Sequence, residues 1–194
     1  MNALYLMGIS LTALLSENFV LVNCLGIGSR TQALKDPNDA RKTGLSLTAV
    51  MVLTAVVGWV LHQFLHHYAL DYYQTLVFAL LGPCMVGCLR WFLKSCIPEL
   101  SRRLDENLSS VTFNCAAMGV SLLIASRGYT LSASFLYALF GGLGATGALI
   151  SFAGLKQEVS LTSCPKSVQG LPIELITAGL MALALVGFYG LHLD

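Results

Sequence analysis

Charge is what this sequence has least of. Asp, Glu, Lys and Arg make up 11 % of the 194 residues, where an ordinary soluble domain carries about 25 %. That scarcity excludes a disordered chain and almost any water-soluble enzyme. The formal net charge is only +1. A basic stripe to hold nucleic acid is absent, and no global field steers polyanions. Short alternating strands with polar lumen positions are also missing, which excludes an outer-membrane barrel. The N-terminus lacks a basic n-region, so the first apolar stretch reads as a retained helix rather than a cleaved signal.

What is present is apolar. Hydrophobic residues reach 56 % and the mean hydropathy is +0.73. The class this predicts is an all-α polytopic membrane protein. A span needs about 20 mainly apolar residues. Six stretches qualify: 3–28, 44–65, 72–93, 108–126, 131–155 and 171–192. The clearest breaks are Asp36-Pro37-Asn38-Asp39, Ser126-Arg127-Gly128 and Ser163-Cys164-Pro165-Lys166. Connectors this short leave no room for a second domain, so residues 1–194 read as one membrane domain.

Basic residues set the orientation. The first connector holds Arg30, Lys35, Arg41 and Lys42. The third holds Arg90, Lys94, Arg102 and Arg103, and the fifth Lys156 and Lys166. Of the 11 Lys and Arg residues only Arg127 falls in an even connector. The odd connectors are therefore expected to face the cytoplasm, with both termini outside.

Three spans per half would make an internal duplication antiparallel, with halves of about 1–95 and 105–194. Residues 19–28 (Phe-Val-Leu-Val-Asn-Cys-Leu-Gly-Ile-Gly) lie against 110–119 (Ser-Val-Thr-Phe-Asn-Cys-Ala-Ala-Met-Gly) at an offset of 91. Val20/Val111, Asn23/Asn114, Cys24/Cys115 and Gly28/Gly119 agree. Both segments open a half, so helices 1 and 4 are expected to be interrupted and to meet near the midplane.

Several residues stand out chemically. Cys24 and Cys115 are soft thiolate donors suited to an iron–sulfur, zinc or copper site; the alternative is two small residues packing helices. Cys84 and Cys88 share a helix face, as do His62 and His66, but neither pair makes a metal site alone. Glu17 and Glu174 interrupt apolar runs, where a carboxylate marks an ion path or a structural partner. Glu174 also suits a helix N-terminus. Gly141, Gly142, Gly144 and Gly147 read as close helix packing. Gly26 and Gly28 differ, because there they allow the first helix to break.

These segments resemble the membrane subunits of the Rnf/Nqr family. Glu17-Asn-Phe-Val-Leu-Val-Asn-Cys-Leu-Gly-Ile27 is similar to the family's opening motif, and Thr112-Phe-Asn-Cys-Ala-Ala-Met-Gly-Val120 to its mid-chain motif. Phe152-Ala-Gly-Leu-Lys-Gln-Glu158 is similar to a cytoplasmic segment of the family. The stretch from Gly170 to Phe188 resembles the ending of the RnfA-like branch. The resemblance implies six spans in an inverted three-plus-three repeat, in a bacterial inner membrane. It implies a component of an ion-translocating ferredoxin:NAD oxidoreductase that moves Na⁺ or H⁺. It also implies an RnfE-like pseudo-symmetric partner beside other components of the B, C, D and G types. The resemblance further implies that the pair shares a 2Fe-2S cluster, with one cysteine from each half of each chain.

Carried over by position, one ligand falls on Cys115. The other does not carry over, because Gly28 stands where the family has cysteine, and Arg30 follows. Two readings compete. Cys24, one helical turn before Gly28, replaces the ligand after a shift of about 5.4 Å. Or the chain is a divergent paralogue without the cluster, acting as a scaffold or small transporter.

Overall fold

The computed structural model describes residues 3–16, 18, 37–68, 70–96, 115–161 and 170–187. Among them every regular element is helical and no strand occurs. Helix α1 (Ala3–Leu11) runs into a π-helical turn (Thr12–Ser16). Then come α2 (Pro37–His67), a 3-10 turn (Asp71–Tyr73) and α3 (Gln74–Cys96). Helices α4 (Cys115–Arg127), α5 (Leu131–Leu161) and α6 (Leu171–Val186) complete the order.

The helix ends follow local chemistry. Pro37 opens α2, where its missing N–H is not needed. The segment from Pro37 to Asp39 is thus a helix start, and α2 begins well before the expected residue 44. Asp39 in its first turn complements the helix dipole. Helix α4 stops at Arg127 because Gly128 takes φ +61°, a left-handed conformation that glycine adopts without strain. Tyr129 N–H then reaches back to Ile124 O at 3.4 Å. Gly170 (φ +90°) and Pro172 open α6 in the same spirit.

The first expected span is interrupted early. Its α-helix ends at Leu11, the π turn follows, and Asn18 lies outside any helix. A docking contact lies at this break: the Leu14 carbonyl packs against Gly144 of α5, and the Asn18 amide donates to Gly144 O. Such π turns redirect a helix and are common at functional sites. Gly26 and Gly28 lie outside the described residues, as do 108–114 of the fourth expected span and 188–192 of the sixth.

Two helices form the frame. Segments Asn38–His67 and Leu131–Val159 are long and apolar enough to cross a membrane, and about half of each is buried inside the protein. Segments Gln74–Leu89, Cys115–Arg127 and Pro172–Leu185 are shorter apolar helices. Helix α2 packs against α5, α4 and α3, and α5 packs also against α1, the π turn and α6. The first helix of the chain thus lies on α5, and α4 lies on α2. Exchanging α1 with α4, α2 with α5 and α3 with α6 leaves these frame contacts of α2 and α5 in place.

Where α2 meets α5 the contact is reciprocal. A Cβ placed on Gly44 would lie 2.9 Å from Thr146 Cα, and one on Gly142 would lie 2.9 Å from Thr48 Cα. Gly44 faces Thr146 while Thr48 faces Gly142, so the helices run antiparallel here. Backbones come this close only because glycine has no side chain. Gly142 and Gly144 bear out the packing expectation, whereas Gly147 faces open space.

Candidate functional site

The buried polar groups gather at the α2–α5 crossing. Thr43, Ser46, Thr48, Thr146 and Asn18 are all buried. Thr48 Oγ1 lies 3.0 Å from Gly44 O, Thr146 Oγ1 lies 2.9 Å from Gly142 O, and the two hydroxyls lie 3.1 Å apart. Hydroxyls tied to their own helix in this way tolerate an apolar surrounding, because the i−4 carbonyl satisfies them. Asn18, at 4 % exposure, donates from Nδ2 to Gly144 O at 2.9 Å. It ties the end of the first helical segment to the middle of α5.

A second polar seam joins α2 to α4. Ser121 Oγ lies 3.3 Å from Ala117 O and 3.4 Å from Thr54 O. Thr54 Oγ1 donates to Val50 O in turn. Gly58 opposes Ser121, 3.0 Å from Oγ to a built Cβ. This seam fixes α4 on α2, and with it Cys115 at the opening of α4. Ala116 and Ala117 are buried, while Cys115 is exposed. Its side chain is therefore on the surface rather than in the bundle core.

The other candidates separate. Cys84 and Cys88 are exposed on α3. His62 and His66 share a face as expected, with ring centroids 6.2 Å apart, but His62 Nδ1 is buried without a hydrogen-bond partner among the described residues. No group of three or more His, Cys, Asp or Glu side chains among the described residues is placed to hold a metal ion. Glu174 lies in the first turn of α6, and its Oε1 is 2.7 Å from Lys156 Nζ of α5. Glu17, Cys24, Gly26 and Gly28 lie outside the described residues.

At the far end of α4 an aromatic cluster closes the fold. Trp59 Nε1 donates to Tyr129 O at 2.8 Å. The Arg127 guanidinium lies 5.9 Å from the Tyr129 ring centroid and 5.7 Å from that of Tyr137, within cation–π range. Arg127 is thus held on two aromatic faces.

Comparison with known proteins decides the family. Residues 6–192 match the family model described as "Rnf-Nqr subunit, membrane protein". The chain belongs to the Rnf-Nqr family. It is a membrane protein, as that description and its apolar helices agree. It is 38 % identical over 180 residues to the A-type component of the ion-translocating oxidoreductase complex of Syntrophotalea carbinolica, covering 92 % of this chain and 93 % of that one. It is 34 % identical over 190 residues to the A-type component of the Na(+)-translocating ferredoxin:NAD(+) oxidoreductase complex of Acetobacterium woodii, covering 95 % and 97 %. The A-type component of the ion-translocating oxidoreductase complex of an Azoarcus species is 36 % identical over 178 residues, 91 % of this chain and 92 % of that one.

Sequence reasoning missed the crossing. Gly44-Leu-Ser-Leu-Thr48 and Gly142-Leu-Gly-Ala-Thr146 share a glycine and a threonine four apart, at an offset of 98. That spacing was the available signal. It differs from the offset of 91 between the helix openings, so one fixed-offset comparison does not align both.

Proposed function

We propose that this chain is the A-type membrane component of an ion-translocating ferredoxin:NAD oxidoreductase. The observation that carries the reading is the match, over almost the whole length of both chains, to A-type components of complexes bearing such names. The protein sits in the bacterial cytoplasmic membrane with six spans and both termini outside. Its halves form an inverted three-plus-three repeat. The reciprocal Gly44–Thr146 and Thr48–Gly142 contacts support that symmetry, and so does the exchange of packing partners between the halves. A self-complementary contact is what a twofold relation produces. Fusions of alkaline phosphatase to the C-terminus test the topology; activity is the expected result.

The same reading includes a 2Fe-2S cluster shared with an E-type partner. Such a group takes four soft ligands. Cys115 suits one of them: it is an exposed thiol at the opening of α4. Bound there, the cluster supplies one-electron transfer. The chain's own contribution is to hold Cys115, through Ser121 and the buried Ala116 and Ala117, on a helix fixed to the frame.

The second reading rests on Gly28, which removes one expected ligand. In it the chain keeps the fold without the cluster and serves as a scaffold or small transporter. Anaerobic co-purification with the E-type partner separates the two. Iron quantification and EPR are made on wild type, Cys115→Ser and Cys24→Ser. A 2Fe-2S signal lost in both variants supports a cluster ligated by Cys115 and Cys24. An intact complex without iron supports the second reading.

A further inference from the structure

The Lys156–Glu174 pair is incomplete in a specific way. Oε1 of the carboxylate meets Lys156 Nζ at 2.7 Å, and the side chains are 27 % and 12 % exposed. The other oxygen, Oε2, is buried and accepts no hydrogen bond from any described group. A carboxylate offers about four acceptor positions. Taking a charged pair out of water is repaid only when the remaining lone pairs are also satisfied. A bare buried oxygen on a charged group costs more than one on a neutral group.

The surroundings narrow what Oε2 is for. Helix α6 packs on α5 and on the π turn. The π turn (Thr-Ala-Leu-Leu-Ser) carries no titratable side chain. Helix α6 carries none besides Glu174. From α5 the charged groups near this level are Lys156 and the exposed Glu158. No described donor is in place to complete Oε2. The carboxylate carries one negative charge against one tethered ammonium, so a small cation of single charge would take Oε2 by competing with Lys156 for it.

We propose that Glu174 Oε2 is a loading position for a small monovalent cation, a proton or Na⁺, with Lys156 as the tethered cation that holds the carboxylate between loadings. An arriving proton neutralises the carboxylate and an arriving Na⁺ shares its charge; either loosens the Lys156 pair, and departure restores it. The carboxylate is then never left alone in an apolar setting. This deepens the ion-translocating reading and rests on it for the use of the site; the binding itself is testable without it.

The test is carbodiimide labelling of the intact complex. Dicyclohexylcarbodiimide adds to a protonated carboxyl in apolar surroundings, and mass spectrometry locates the adduct. Labelling is run over a pH series, with Na⁺ or with choline. The expected result is an adduct on Glu174 that falls several-fold as pH rises. If Na⁺ but not choline also suppresses it at fixed pH, the cation is Na⁺; if neither does, it is the proton. Glu174→Gln removes the adduct, and Lys156→Met raises it several-fold. Glu174 unlabelled at every pH, in wild type and Lys156→Met alike, would overturn the proposal, provided an added carboxyl control is modified. So would labelling indifferent to both pH and Na⁺. Should Lys156→Met fail to assemble, the wild-type series decides. Iron content and EPR on the same preparation report separately on the cluster.

Discussion

Thr48 Oγ1 and Thr146 Oγ1 touch at 3.1 Å across the α2–α5 crossing, each also within reach of its own helix's glycine carbonyl. Two hydroxyl protons serve three oxygen–oxygen contacts. One hydroxyl therefore donates across the crossing while the other donates along its helix, and the two arrangements are near mirror images. Either threonine is replaceable at small cost, since interhelical hydrogen bonds in membranes average about 0.6 kcal/mol. Thr48→Val and Thr146→Val should each lower stability by about that much. Their double mutant should show a coupling of the same order in thermal unfolding in detergent. Full additivity would mean that the hydroxyls do not interact.

Glycine substitutions should divide by position. A methyl on Gly44 or Gly142 meets the partner threonine, including its backbone Cα, at 2.9 Å or less. Neither backbone can yield without separating the two frame helices. Gly44→Ala and Gly142→Ala should each cost about 1–3 kcal/mol, as overpacked cores do. Gly147 and Gly87 have nothing within 4 Å. Alanine there should be neutral or stabilising by up to about 1 kcal/mol, because glycine is the poorer helix former. Thermal midpoints of the four variants, measured side by side, check the division.

The docking of the first segment is testable at Asn18. Its amide reaches Gly144 O, and Leu14 O lies 2.6 Å from a Cβ built on Gly144. Asn18→Asp keeps the shape and loses the donor, placing a carboxyl oxygen against a carbonyl. Gly144→Ala pushes the π turn off α5. Both should open the segment near Leu14 to proteolysis or to hydrogen exchange, with a loss of about 1–3 kcal/mol for the unsatisfied or repelled group. Exchange in α3 and α4 should stay as in wild type, since their main packing is on α2 and on each other.

Much of this architecture is legible in composition and little of it in motif. Scarce charge and long apolar stretches point to helices, and Pro37, Gly128 and Pro172 mark where three of them begin or end. The boundaries drift because amphipathic ends such as Asn38–Arg41 and Lys156–Leu161 carry charge yet remain helical. Apolarity alone cannot see a helix that continues past the membrane core. The early break of the first segment was not legible either. The contact made there is with Gly144, which lies 126 residues beyond Asn18, and no local propensity reports a partner so distant. Cys115 was legible as a soft donor. Its exposure was not, because Ala116 and Ala117 look equally apolar in sequence but only they face inward.

Lys156 and Glu174 should respond unequally to removal. Lys156→Met leaves a carboxylate whose side chain is only 12 % exposed with one oxygen newly unpaired and the other already bare. Glu174→Gln leaves an amide that still accepts from Lys156, and the ammonium at 27 % exposure retains contact with water. The first variant should therefore lose more stability than the second, by about 1–3 kcal/mol, the range for stranding a buried polar or charged group. The double variant Lys156→Met, Glu174→Leu should recover most of that loss, because two apolar side chains strand no charge. Such recovery in stability must be accompanied by loss of the Glu174 carbodiimide adduct. A pair kept only to staple α5 to α6 would survive this exchange with ion transport intact, whereas a loading position would not. Measuring thermal stability together with Na⁺ and proton uptake on the double variant therefore separates the two roles in one preparation.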